Sequence, residues 1–346
     1  MATVTIYDIA REAKVSPATV SRVLTGSARV SPKREKEIRR IINKYGFQPN
    51  AMAQSLHDGR TRLIGLITGD IRNPFFAEAC YACEVAAKKK GYQIMLRNIF
   101  DGTTEKDSLS MFAAHRVEAI IQLGGCTDHI TGNAAYVQLI RRAAKPFVSM
   151  GKLDGADIYT CSIDYSACMD LAFTYLHRLG HERIALLGGR LSQFSTYDKW
   201  TKYIYLLGTH DIPFRPDYVQ ESGYSFDNGF EGMERLLALD VRPTAVIAIT
   251  DQVAAGAIAA LGSQELRCPQ DISIIGQDNT FLSYITSPSL TSIAYNYEKL
   301  GEELVSIALK VIAKEDVPRE TILTPSLVQR ESCAPVKKTF EDVIYN

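Results

Sequence analysis

The chain has 346 residues, 46% of them hydrophobic and 23% charged, with a formal net charge of zero. That length allows two or three domains with sizeable cores. No run of about 18 apolar residues occurs, which leaves no membrane-spanning segment to expect. Seven cysteines, an odd number, fit a reducing cytoplasm better than a disulfide framework. The opening MATVTIYDIAREAK lacks the apolar core and cleavage site of a secretory signal.

The zero net charge hides an asymmetry. Residues 1–60 hold eleven Lys and Arg against five acids, so the remaining 286 residues sum to −6. A small basic head on an acidic body points to a polyanionic partner for the head alone.

The head reads as three helices. TIYDIAREA opens with Thr5 as N-cap and Asp8 three residues on, a capping box, and Ile6, Ile9, Ala10 and Ala13 make its inner face. VSPATVSRVL starts again at Ser16, with Pro17 at the first helical position. Val20, Val23 and Leu24 point inward, while Pro17, Ala18, Ser21 and Arg22 face out. About three residues separate the two helices, which is helix-turn-helix spacing. SPKREKEIRRIINKYG gives a third helix, begun by Ser31 and Pro32 and stopped by Gly46, whose Ile38, Ile41, Ile42 and Tyr45 close a three-helix core. Small outward residues at the start of the second helix let it enter a DNA groove closely, and Arg22 and the basic third helix can hold phosphates.

QPNAMAQSLHDG follows. It reads as a helix of about two turns, too short to be stable alone in water, yet Met52, Ala53 and Leu56 share one apolar face. A hinge that becomes helical only on DNA accounts for both features. The plain reading is a linker resting on the body.

TIYDIAREAKVSPATVSRVL, VSPKREKEI and YGFQPNAMAQSL resemble the head and hinge of the lactose/galactose repressor (LacI/GalR) family. The resemblance continues through IGLITGDIRNPFFAEA, LGHERIALLGG, PTAVIAITDQVAAGAIAAL, ISIIGQDNT and PSLTSI, covering about residues 4–333. It places DNA contacts at Tyr7, Ser16, Pro17, Ala18, Ser21, Arg22, Arg29 and Lys33, and at Asn50, Ala53 and Leu56 in the hinge.

Beyond Leu63, apolar runs alternate with helical patterns. LIGLIT, YQIMLRN, VEAIIQL and PFVSM read as buried parallel strands, and RIALLGG, AVIAIT and ISIIGQ as a second series. Two such sets imply an α/β body of two doubly wound lobes, with ligands at the strands' carboxyl ends. The resemblance implies a periplasmic-binding-protein-like body in which the chain crosses between lobes three times. The expected organisation is a helix-turn-helix head at 1–48 and a hinge helix and linker at 49–61. A first lobe takes 62–162 with 293–323, and a second takes 163–292 with 324–346. The amphipathic segment YEKLGEELVSIALKVIAK belongs back in the first lobe.

Enzyme signatures are missing: no G-x-G-x-x-G, P-loop, H-E-x-x-H or G-x-S-x-G occurs. Cys80 and Cys83 form C-x-x-C, but no second pair or nearby His completes a ligand set, so core packing is the better reading. His177 and His181 read as part of a helix-to-strand turn. Strand ends and the resemblance together nominate Asn73, Phe75, Phe76, Asp164, Lys199, Tyr224 and Asp278 for the effector. A carboxylate accepting from paired hydroxyls, with an aromatic ring against a ring face, suits a sugar.

Two positions depart from the family pattern. Lys199 stands where sugar-binding members usually carry Arg, a point charge in place of a planar fork. Gly151 stands where many carry Asp. These leave an unusual or anionic carbohydrate, or a nucleoside or purine, as effector. The expected function is a cytoplasmic, homodimeric, ligand-responsive regulator, most simply a repressor of carbohydrate-related genes on a near-palindromic operator in double-stranded DNA. No cofactor, metal or membrane is called for. Control by a partner protein, or a solute-binding module without gene regulation, are the other readings. The tail PVKKTFEDVIYN shows no leucine heptad, so no coiled-coil oligomer is expected.

Overall fold

The computed structural model describes residues 4–25, 30–47, 60–99, 104–131, 133–153 and 155–336. Arg29, Asn50, Ala53 and Leu56, most of the hinge and the end of the tail lie outside the described residues. The chain forms two units, 1–62 and 63–346.

The head holds α1 (Ile6–Glu12), α2 (Pro17–Thr25) and α3 (Pro32–Tyr45). Local chemistry sets their ends. Thr5 donates to Asp8 Oδ2 from its backbone N–H at 2.9 Å and from its hydroxyl at 2.6 Å, forming the capping box. Ser16 Oγ accepts from Thr19 N–H at 3.3 Å. Gly46, at φ +57°, ends α3 in the left-handed conformation that glycine adopts without strain. Ile9, Ala10, Val20, Val23, Ile38 and Ile41 are buried together. Tyr45 is not part of that core. It is 42% exposed, and its hydroxyl donates to Glu12 Oε2 at 2.5 Å. A tyrosine at a helix end can keep its polar tip in solvent and still reach a surface acceptor.

The body contains two six-stranded sheets. The first has β1 (Leu63–Thr68), β2 (Gln93–Asn98), β3 (Ala119–Leu123), β4 (Phe147–Ser149), β5 (Tyr159–Ile163) and β11 (Glu320–Leu323) in the order β11-β5-β4-β3-β1-β2, all parallel. The second has β6 (Ile184–Leu187), β7 (Val219–Gln220), β8 (Ala245–Ala248), β9 (Ser273–Asp278), β10 (Thr291–Ala294) and β12 (Ser326–Val328) in the order β12-β10-β9-β8-β6-β7. Only β12 runs antiparallel there. The chain therefore crosses between sheets three times, after β5, β10 and β11. The second crossing comes later than residue 293, because Thr291–Ala294 pairs with β9 over its whole length. β2 is an edge strand rather than a buried one, and Leu96 on it is exposed. The helix Tyr297–Ile312 lays Leu300, Leu304, Ile307 and Ala308 inward beside the first sheet.

The two sheets' lobes are also joined by a strap. Asp128, in the loop after β3, accepts from Ser195 N–H at 2.9 Å and Ser195 Oγ at 2.8 Å. Ser195 lies in the first turn of the helix Phe194–Thr209 of the second lobe, so the carboxylate of one lobe caps a helix of the other. Ile130 N–H donates to Ser192 O at 3.0 Å alongside. The loop that carries Asp128 explains Gly151. A Cβ there would sit 1.9 Å from the Thr127 carbonyl oxygen, so an Asp at this position has no room.

Replacing Asp128 by Ala removes two bonds to a buried carboxylate. The expected loss is about 1–3 kcal/mol in urea unfolding. Ser195→Ala should be non-additive with it, by about 0.5 kcal/mol or more in a double-mutant cycle. Strict additivity would show that the pair does not join the lobes.

Candidate functional site

The head sorts its charges. Arg11–Asp8 (3.4 Å), Arg39–Glu35 (2.8 Å), Arg40–Glu37 (2.8 Å) and Lys44–Glu12 (2.8 Å) are ion pairs on α1 and α3. Arg22 near the end of α2, and Lys33 and Arg34 at the start of α3, have no carboxylate partner among the described residues. Exposed cations without partners are what phosphates need. Ser16, Ala18 and Arg22 are exposed, while Pro17 and Ser21 are half-buried. Tyr7 on α1 is 66% exposed. Ser16 spends its hydroxyl on Thr19, which shapes the start of α2.

The body has a cleft at the carboxyl ends of its strands, where doubly wound sheets place ligands. Six of the seven nominated residues line it: Asn73, Phe75, Phe76, Lys199, Tyr224 and Asp278. Asn73 caps the helix Pro74–Lys89, accepting from Phe75 N–H at 3.0 Å, and so aims the two phenylalanines. Phe75 and Phe76 meet edge to face at 5.1 Å, and Phe75 meets Tyr295 in the same way at 6.0 Å. The Tyr224 hydroxyl bonds Thr196 Oγ1 at 2.8 Å and also donates to Gln193 Oε1. Asp164 is a correction. It does not line the cleft but caps the helix Tyr165–Arg178, its carboxylate accepting from Ala167 N–H at 2.8 Å. Its neighbour Tyr165 turns inward instead.

Sequence reasoning also missed Asp128, Gln193, Thr196, Thr250 and Tyr295, all of which line the cleft. Tyr295 follows β10 directly, so the strand-end rule could have found it. Asp128 sits on a loop whose path no local pattern gives.

Lys199 is 4% exposed. Its Nζ donates to Tyr295 Oη at 3.3 Å and lies 5.3 Å from the centre of the Tyr165 ring. Asp278 is buried, with a backbone φ of +99° that only a firmly held residue adopts. Burial, and then the charge of nearby Asp251, push its carboxyl well above the usual range. Burial raises Asp128 likewise. The arrangement offers aromatic faces, hydroxyls, an acid and a cation around one space, chemistry suited to a small polyhydroxylated molecule.

The other motifs are structural. Cys80 and Cys83 are buried in the helix Pro74–Lys89, and burial pushes the Cys80 thiol to about 11 and Cys83 higher still, which leaves both protonated and unreactive. His181 is a satisfied core residue, bonded to Thr244 Oγ1 at 2.9 Å and Ser273 Oγ at 3.1 Å. Among the described residues no helix is long and apolar enough to cross a membrane.

Comparison with known proteins matches residues 5–50 to the bacterial regulatory proteins of the lacI family, and residues 173–333 to a periplasmic binding protein-like domain. The chain is 34% identical to catabolite control protein A of Priestia megaterium over 330 residues, covering 94% of this chain and 98% of that protein. It is 32% identical to the HTH-type transcriptional repressor PurR of Pasteurella multocida over 333 residues, covering 95% and 98%. The lac repressor dimer bound to operator and the anti-inducer ONPF superposes with a TM-score of 0.86 at 27% identity, covering 96% of this chain and 100% of that one. The transcriptional regulator CelR in complex with cellobiose superposes at 0.71 and 26%, covering 95% and 99%. With the helix-turn-helix head, the paired parallel sheets and this extent of identity, the chain belongs to the LacI family of bacterial transcription regulators, DNA-binding proteins and not enzymes.

Proposed function

We propose that the chain is a cytoplasmic, homodimeric repressor whose grip on a near-palindromic operator responds to a carbohydrate in the cleft of its body. The observation that carries the effector half is the cleft itself. Aromatic rings from Phe75, Phe76 and Tyr224, the buried Asp278 and the buried Lys199 converge there. Support for the DNA half comes from the small exposed residues and unpaired cations of α2 and α3. The structurally similar lac repressor is a dimer on operator, and CelR holds cellobiose. A second copy suits the exposed apolar group Phe281, Tyr284 and Ile285 around the short helix Leu282–Ile285, because such patches are rarely left bare. The sequence of the hinge, through Asn50, Ala53 and Leu56, fits a segment ordered by operator. Within the body, 63–163 with the returning helix and β11 forms one jaw, and 164–294 with β12 the other.

Two heads per dimer should protect two symmetric half-sites in footprinting. Arg22→Ala should weaken binding and relax sequence choice. Lys33→Ala should weaken binding to all sequences alike and lower the log–log salt slope by about 0.9. A single asymmetric half-site, or binding insensitive to salt, would contradict this.

Tyr224→Ala and Asp278→Ala should each cost about 2–3 kcal/mol of effector affinity, roughly 30- to 150-fold. Operator binding without effector should stay measurable in both. Titration calorimetry of the full chain against a sugar library checks this. Unchanged affinity in both variants would move the site elsewhere.

A further inference from the structure

We infer that the ligand of this cleft carries an anionic group beside its hydroxyls, as a sugar acid or a sugar phosphate does, and that Lys199 receives that group. The inference rests on the cleft being the effector site and names the class of molecule it takes.

Lys199 is a buried cation with no carboxylate in direct contact among the described residues. An ammonium has three hydrogens to donate. Lys199 spends one on the Tyr295 hydroxyl, and the Tyr165 ring lies beneath it. No carboxylate pairs with it among the described residues. A buried cation in that state is costly unless something else completes it.

The nearby acids are committed elsewhere. Both oxygens of Asp128 are taken by Ser195. Asp278 lies beside Asp251, and two adjacent buried carboxyls do not both ionise readily. Asp251 accepts three hydrogen bonds, from Thr280 N–H (2.6 Å), Thr280 Oγ1 (3.1 Å) and Ser292 Oγ (2.6 Å), and stands in the first turn of a helix. Those donors hold the shared negative charge on Asp251 and leave Asp278 the protonated partner. The cleft wall therefore presents one cation, the neutral acid Asp278, the Asp128 carboxylate already engaged by Ser195, and several rings. A neutral sugar leaves the cation with no anionic group in direct contact among the described residues. A carboxylate or phosphate completes it, while Asp278 donates to, or accepts from, a hydroxyl farther along the ligand.

Titration calorimetry on the full chain reads binding. The full chain is titrated with matched pairs: D-glucose with D-glucuronate, D-galactose with D-galacturonate, and D-glucose with D-glucose 6-phosphate. Adenosine and guanine complete the set. At least one acidic member should bind about tenfold or more tightly than its neutral partner. Whether the carboxylate or the phosphate pairs respond decides between the two sources of charge.

Lys199→Met should cost the acidic ligand about thirtyfold or more while changing its neutral partner little. Lys199→Arg should recover most of the loss, and retained operator binding shows that the variants fold. The inference is overturned if the neutral members bind as tightly, if Lys199→Met leaves the acidic ligand unaffected, if no acidic member binds, or if only the base or nucleoside does. A neutral sugar that binds and is lost in Tyr224→Ala keeps the cleft as the effector site and removes only the charge. Binding indifferent to both Lys199→Met and Tyr224→Ala removes the cleft as well.

Discussion

The Asp251 carboxylate is the constraint on which the binding face depends. It starts the helix Asp251–Ser263, is buried, and gathers Thr280 and Ser292 onto its two oxygens. Those residues flank the end of β9, where Asp278 and Asn279 take φ values of +99° and +51°. Such backbone costs about 1–3 kcal/mol per residue and persists only where the surroundings over-determine it. They do so here. Tyr297 Oη donates to Asp278 O at 3.1 Å, Asn279 N–H donates to Ser292 Oγ at 3.0 Å, and Arg330 holds Asn279 Oδ1 at 2.7 Å. Asp278 is thus set in place before any ligand arrives, and a preset group loses little entropy on binding.

The same cleft is closed across its rim by Asp128 and Ser195. One residue therefore contributes to the lining of the pocket and to the contact between lobes. A ligand that alters the surroundings of Asp128 acts on the strap without touching it elsewhere. That is a physical route from occupancy to lobe geometry, and it shifts an equilibrium only by the ligand's difference in affinity for the two arrangements. Gly151 marks how closely two loops of the first lobe are packed beside that strap, since even a methyl group at that position meets the Thr127 backbone.

The head was legible almost residue by residue. Its helices are ended by Ser, Thr, Pro and Gly acting within three residues of themselves, and its inner faces repeat at helical spacing. Tyr45 escaped because periodicity puts a side chain on a face without saying whether its polar tip will hold it at the surface. The alternation of strands and helices in the body was legible for the same local reason. That β2 lies at an edge was not, since a short apolar run reads alike in either position. In the cleft, the strand-end rule found the right neighbourhoods. At β5 it chose Asp164 over Tyr165, because helix capping competes for an acid at that point and the rule does not weigh the competition. Asp128 and Gln193 are brought in by loop paths and lobe contact, which are tertiary facts, whereas Thr250, just past the end of β8, lay within that rule's reach.

The central claim is that occupancy of the cleft and grip on operator are one equilibrium. Fluorescence anisotropy of a labelled operator duplex, titrated with the full chain at zero and at saturating cleft ligand, tests it most directly, with effector affinity measured on and off operator in parallel. Linkage requires the two factors to be equal. The account predicts a change of about tenfold or more, of the same size in both directions, within the 1–3 kcal/mol usual for such coupling. A ligand that saturates the cleft by calorimetry while operator affinity stays the same would contradict it.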